Sequence, residues 1–218
     1  MTKYIFDVKS FLPFSQNVPK QAIVMCHGYG GDGHDISALA KSWRRFLPDA
    51  LFLCPNAPEI CAVSPKGYQW FDLTIENEEK ILEKSLAAEI KLNIFLNQIL
   101  DNFSLDPKNL ALVGFSQGCM MIIQTALKKK EKISCIVGYS GKIINKKNLA
   151  DKIVSRPKIF LMHGDKDTIV PASYLLEAKD FLLKYNLKIK IKLFKNYGHI
   201  IPVQGSSLGL EFLIKNLL

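Results

Sequence analysis

Leu110-Ala111-Leu112-Val113-Gly114-Phe115-Ser116-Gln117-Gly118 is the stretch on which the reading of this chain turns. Its four leading apolar residues have the length and character of a strand buried on both faces. Gly114 to Gly118 follows at once as Gly-x-Ser-x-Gly, and a helical period opens behind it, expected over 116–130. In a strand–turn–helix context this pentapeptide is a nucleophile elbow. The turn forces Ser116 into a strained backbone conformation, and bulk at the flanking positions would block it. The strain aims the hydroxyl out of the turn, and the helix N-terminus beneath it favours developing negative charge.

Outward from the elbow, short apolar runs recur at Ala22–Cys26, Ala50–Cys54, Cys135–Val137 and Ile159–Met162. Each is expected to be a buried strand. Ile189, Ile191 and Leu193 alternate with Lys188, Lys190 and Lys192, which predicts a strand with one wet face near a sheet edge. Helical periods lie between, at 35–46, 78–103, 173–185 and 206–217. In the second of these, Leu82, Leu86, Ile90 and Ile94, with Ile99 and Phe103, are read as one buried stripe. Alternating strands and helices predict an α/β class with a mostly parallel central sheet and helices on both faces. No linker divides residues 1–218, so one domain is expected. Residues 55–73, with Pro55, Pro58, Pro65 and Gly67, are read as a long functional loop.

A serine hydroxyl needs a base, and the base needs an acid to hold it. With this elbow the chain order is serine, then carboxylate, then histidine. Of the four histidines, His27 and His34 precede Ser116, and His163 abuts the end of a buried strand. His199 follows the alternating strand and lies where a loop reaches the carboxyl edge of the sheet. It is assigned as general base and then general acid. Asp165 and Asp167 compete for the acid. Asp165 is placed to hold its turn through backbone hydrogen bonds, and Asp167, further out, is better placed to reach an imidazole. The oxyanion needs two backbone N–H donors. Gln117 supplies one and Tyr29, in His27-Gly28-Tyr29-Gly30-Gly31-Asp32-Gly33, the other. Gly28, Gly30 and Gly33 also match a dinucleotide-binding glycine pattern, but the next strand ends Leu53-Cys54-Pro55-Asn56 without the acid that pattern requires.

His27-Gly28-Tyr29-Gly30-Gly31, Trp70-Phe71-Asp72, Gly114–Gly118, His163-Gly164-Asp165-Lys166-Asp167-Thr168-Ile169-Val170-Pro171 and Gly198-His199 together resemble the phospholipase/carboxylesterase family. This is the acyl-protein-thioesterase-like branch of the α/β-hydrolases, and the resemblance runs from about Ile23 to the C-terminus. It implies an α/β-hydrolase fold, a Ser116–Asp167–His199 triad and oxyanion donors at Tyr29 and Gln117. It implies that the loop leading to Trp70 and Phe71 lines the acyl site. The expected activity is cleavage of carboxylic esters or thioesters through an acyl-enzyme, with no metal or organic cofactor. Substrates would be small or lipid acyl esters and acylated proteins. Two other classes stand against it. One is a non-catalytic binding protein on the same fold, which an intact triad opposes. The other is a metal-dependent hydrolase using His163, Asp165, Asp167 and His199, for which no H-x-x-x-H or H-x-H pair is present.

Composition bounds the partners. The 218 residues carry 29 Lys+Arg against 20 Asp+Glu, a net charge of +9. Arginine occurs only at positions 44, 45 and 156, whereas nucleic-acid readers favour its planar fork. The dense run Lys128-Lys129-Lys130 sits where a helix should end, where cations suit the helix dipole. No nucleic-acid partner is expected; a lysine-coated surface suits anionic lipid or acidic protein substrates. Five cysteines without a C-x-x-C pair fit a reducing compartment, and Cys119 is read as core filler. Asp7 and Lys9 interrupt the first apolar stretch, and no run of about 18 apolar residues occurs, so neither a leader nor a membrane span is expected. A cytoplasmic monomer or weak homodimer is the expectation.

Overall fold

The computed structural model describes residues 4–218; residues 1–3, the start of the stretch read for a leader, lie outside it. In chain order the elements are β1 (Val8–Phe11), β2 (Gln21–Cys26), α1 (Gly33–Trp43), β3 (Ala50–Pro55), β4 (Glu59–Cys61) and β5 (Ser64–Gln69). There follow α2 (Glu78–Asn102), β6 (Leu110–Phe115), α3 (Gln117–Lys128), β7 (Cys135–Tyr139), α4 (Lys146–Ala150), β8 (Lys158–Gly164), α5 (Ser173–Lys184), β9 (Ile189–Phe194) and α6 (Val203–Leu217).

Seven strands form one sheet in the order β1-β3-β2-β6-β7-β8-β9. Only β1 runs antiparallel, against β3; every other pairing is parallel. Side chains alternate between the two faces along each strand. Val24, Leu53, Leu112, Ile136 and Leu161 pack on one face with Phe95 of α2, Met121 of α3 and Leu182 of α5. Met25, Phe52, Val113, Val137 and Phe160 pack on the other with Trp43 of α1 and Leu213 of α6. Strands buried on both faces explain why their sequences read as unbroken apolar runs. The alternating lysine strand is β9, the last in the sheet, where lysines blunt an open edge.

Two expectations are corrected. The stripe on α2 holds only in part: Ile99 is buried as read, but Ile90 is 63% and Ile94 43% exposed, and Ala88, Leu92, Phe95 and Leu96 are buried in their place. At 3.6 residues per turn each four-residue step drifts by about 40°, so Leu82-Leu86-Ile90-Ile94 winds off the face that a mixed 3/4 spacing keeps. Residues 55–73 are not an irregular loop either. Within them β4 and β5 pair as an antiparallel hairpin. No Asn-Gly or Asp-Gly marks its turn, and Pro65 sits in β5, a position that a two-stranded edge tolerates.

Candidate active site

The elbow has the strain its sequence predicts. Ser116 has φ 52° and ψ −117°, left-handed backbone at a non-glycine residue. Its N–H donates to the Tyr139 carbonyl at 2.8 Å, which ties the turn to β7. A Cβ at Gly114 would come within 2.6 Å of the Cys119 nitrogen, and one at Gly118 would strike the Cys26 carbonyl. The sharp turn therefore exists only with glycine at both positions. Ser116 does not cap α3 with its hydroxyl, so the oxygen is not committed to backbone N–H groups. Cys119, one turn into α3, is buried against Gly138 and Gly141, and burial pushes its thiol up to about 12. It is core filler, as its sequence position suggests.

On one side of Ser116 stand the turn after β8 and the loop after β9. Asp167 is buried there. Its Oδ1 accepts from the N–H groups of Ile169 (3.0 Å) and Val170 (2.8 Å), and its Oδ2 accepts from His199 Nδ1 at 2.7 Å. A carboxylate only accepts, so Nδ1 carries the proton and the lone pair of His199 lies at Nε2. Burial would raise the Asp167 carboxyl, but the hydrogen bond from His199 and those from Val170 and Ile169 hold it below its ordinary value. Asp165 serves the loops instead. Its Oδ1 accepts from the Asn196 N–H at 2.7 Å and joins the two of them. The His199 ring packs on Phe115, the residue before Ser116, with centroids 4.9 Å apart.

His163 plays a part that its place at a strand end did not reveal. Its Nε2 lies 2.8 Å from the Val170 carbonyl and 3.2 Å from Asp167 Oδ2, so that nitrogen carries a proton and the buried ring backs the carboxylate. Burial lowers its pKa. His163 and His199 both direct N–H groups at Asp167, so neither offers a lone pair to an ion shared at that carboxylate. Among the described residues the three donors that do approach one another within 4.8 Å are Asp32, His34 and Asp35, a different set from the one the sequence suggested. Asp32 and Asp35 form the reciprocal capping box of α1, which accounts for their proximity.

On the other side stands the glycine loop. A Cβ at Gly28 would lie 3.2 Å from the Ser116 Cβ, so loop and elbow are in contact. Among the described residues the Tyr29 N–H donates to no protein acceptor, and Gln117, first residue of α3, has its N–H free as helix starts do. The loop is clamped by the hairpin: Gly30 N–H donates to the Tyr68 carbonyl (2.9 Å) and Tyr68 N–H to the Gly31 carbonyl (2.8 Å). Gly67 lies so close to Gly30 that a Cβ there would strike the Gly30 carbonyl. His27 Nε2 accepts from the Ala57 N–H (3.0 Å), which places the ring proton at Nδ1, 2.7 Å from the Gly28 carbonyl. Burial lowers the pKa of this ring too.

Trp70 and Phe71, expected to line the acyl site, are 0% and 1% exposed. Trp70 donates from Nε1 to the His27 carbonyl (3.0 Å) and from its backbone N–H to Gln117 Oε1 (2.8 Å). Gln117 Nε2 donates to the Phe71 carbonyl (2.6 Å). These two aromatics brace the glycine loop and the elbow from within, and their side chains offer no surface to a substrate. The open space beside the site is a cleft of about 440 Å³ between α1 and the loop 199–201. Its walls include Ile36, Leu39, Phe115, His199 and Ile201.

Residues 13–217 match the model of the phospholipase/carboxylesterase family. The chain belongs to that family. It is a carboxylic ester hydrolase with the α/β-hydrolase fold, as the resemblance implied. The crystal structure of esterase PE8 superposes with a TM-score of 0.92 at 34% identity, over 97% of this chain and 99% of that one. Acyl-protein thioesterase 1 of Kluyveromyces lactis is 28% identical over 212 residues, 91% of this chain and 92% of that protein. Esterase YpfH of Escherichia coli is 20% identical over 197 residues, 89% and 82% of the two. No helix among the described residues is long and apolar enough to cross a membrane.

Proposed function

We propose that this chain, acting as a single domain, cleaves carboxylic esters and thioesters with Ser116 as nucleophile, His199 as general base and Asp167 as its orienting acid. The observation that carries the reading is the 2.7 Å contact from His199 Nδ1 to Asp167 Oδ2. It fixes the tautomer and leaves Nε2 as the basic nitrogen, on a ring packed beside the elbow. Ser116 Oγ attacks the acyl carbon as Nε2 takes its proton. The Tyr29 and Gln117 N–H groups receive the oxyanion. The carbon–oxygen or carbon–sulfur bond then breaks, its electron pair leaves with the heteroatom, and the Nε2 proton follows it. Water, deprotonated by the same nitrogen, releases the acid and restores Ser116.

No step calls for a metal or organic cofactor. Acylated substrates suit the kinship with acyl-protein thioesterases, and a cytoplasmic monomer or weak homodimer without nucleic-acid partners suits the sequence. The test is a fluorophosphonate probe with the adduct mapped by peptide mass spectrometry. A stoichiometric adduct on Ser116 supports the reading. A folded protein that takes no label is a binding protein on the same fold.

A further inference from the structure

From the geometry we infer that the cleft between α1 and the loop 199–201 receives the leaving group of the substrate, and that this leaving group is an uncharged apolar alcohol or thiol. The inference rests on the proposed roles of Ser116 and His199 and adds to them the substrate class.

The side of the cleft follows from proton transfer. On collapse of the tetrahedral intermediate one proton moves from His199 Nε2 to the departing oxygen or sulfur, so the departing atom lies against that ring. The His199 ring and the Phe115 ring packed at a tilt against it at 4.9 Å line this cleft, and Gly28 and Tyr29 of the glycine loop border it. A substituent on the departing atom therefore runs into it. The acyl substituent leaves the same carbon along a different bond and receives no proton, so nothing requires it to lie against that ring.

The chemistry of the cleft follows from its walls. Ile36, Leu39, Phe115 and Ile201 line it, and among the described residues no lysine or arginine does. The charged side chain at its border is Asp35, exposed at the start of α1. A phosphate-bearing leaving group, such as a glycerophosphate, would meet a carboxylate with no compensating cation there. The net charge of +9 resides elsewhere and does not recruit phosphate into this cleft. At about 440 Å³ it holds a branched or cyclic alcohol, or one apolar segment of a larger molecule.

The test holds the acyl group constant and varies the alcohol. Ethyl, butyl and cyclohexylmethyl acetate carry primary alcohols of similar acidity and pass through the same acetyl-enzyme, so kcat/KM compares acylation alone. The expected result is a rise of about tenfold or more from ethyl to cyclohexylmethyl, since each added methylene enters apolar surroundings. Leu39→Asn and Ile201→Asn, both at partly exposed positions, should each cut that ratio at least threefold. Leu39→Trp, which fills the cleft instead of polarising it, should also depress it. Glycerophosphate acetate should be poorer than ethyl acetate in the wild type. A flat alcohol series, or variants that leave the ratio where it was, would overturn the inference. So would a series from ethyl acetate to ethyl hexanoate in which Leu39→Trp selectively suppresses the longer acyl chain, because the cleft would then hold the acyl group. Absence of fluorophosphonate labelling at Ser116 is a separate outcome and overturns the proposed function itself.

Discussion

The two flanks of Ser116 are built from different materials. On the His199 side the atoms proposed to act belong to side chains, Asp167 and His199, set on two loops and backed by a buried His163. On the Tyr29 side they belong to the backbone, and the side chains around them, Trp70, Gln117 and His27, serve to hold that backbone still. One flank can therefore be dissected by removing functional groups, the other only by displacing them. A backbone N–H has no deletion mutant short of proline, so its contribution is probed through the glycines and aromatics that position it.

Ser116, which both flanks serve, gives the largest effect. Ser116→Ala should lower kcat by a factor on the order of 10⁶ while thermal unfolding shows an intact fold. Turnover near wild type would mean that neither flank surrounds the nucleophile. On the side-chain flank the two carboxylates should separate sharply. Asp167→Asn presents an amide to the imidazole and upsets its tautomer, with an expected loss of about 10⁴-fold in kcat. Asp165→Asn keeps an oxygen that can still accept from the Asn196 N–H, so its kcat should stay within about threefold of wild type. Reversal of that ranking in steady-state kinetics would exchange the two roles.

On the backbone flank, Gly67→Ala drives a methyl group into the Gly30 carbonyl and pushes the hairpin off the glycine loop. A displacement of about 1 Å at the Tyr29 donor should cost on the order of 10²-fold in kcat/KM. Slower fluorophosphonate labelling, still at Ser116, would show that the site persists while its donors have moved. Unchanged kinetics would mean the clamp is irrelevant to the loop.

The smallest effect is one of pH. His27 and His163 sit one on each flank, and burial lowers both pKa values. Well above the unfolded value of about 6.5 both rings are neutral whether the chain is folded or not. As the pH falls below that, the unfolded chain takes up protons that the fold refuses, so Tm should decline. Asp167 adds a second, more acidic window. Its carboxyl is depressed in the fold, so its contribution is whole above the unfolded value of about 3.9 and is lost as pH drops through the folded one. His163→Gln should flatten the upper part of the Tm profile, and a variant with an unaltered slope would show that His163 is not held neutral.

The parts of this molecule that were legible in the sequence are those whose physics is local. Strands buried on both faces must be apolar throughout, and six of the seven sheet strands show it or, at β9, show the lysine alternation of an edge. The exception is β1, four residues with a half-buried pattern and no distinguishing period. The elbow was legible because the turn around Ser116 admits only glycine at 114 and 118. The hairpin and the contacts of Trp70 were not, because both depend on what lies opposite in space. The family resemblance implied an acyl-site role for Trp70, yet its indole N–H is consumed by the His27 carbonyl, 43 positions away. The partnership of His163 with Asp167 was hidden for a simpler reason. A histidine at a strand end fits many environments, and only the turn that follows brings the carboxylate back to it.

If an acyl group passes through Ser116, rapid acid quench should catch it there. The protein is mixed with p-nitrophenyl acetate, stopped within the first turnover and digested for peptide mass spectrometry. The expected result is an acetyl group on Ser116 that decays at the rate of deacylation, with a matching burst of p-nitrophenol. Product formed with no acetyl on Ser116, or with the acetyl on another residue, would refute the acyl-enzyme at this serine.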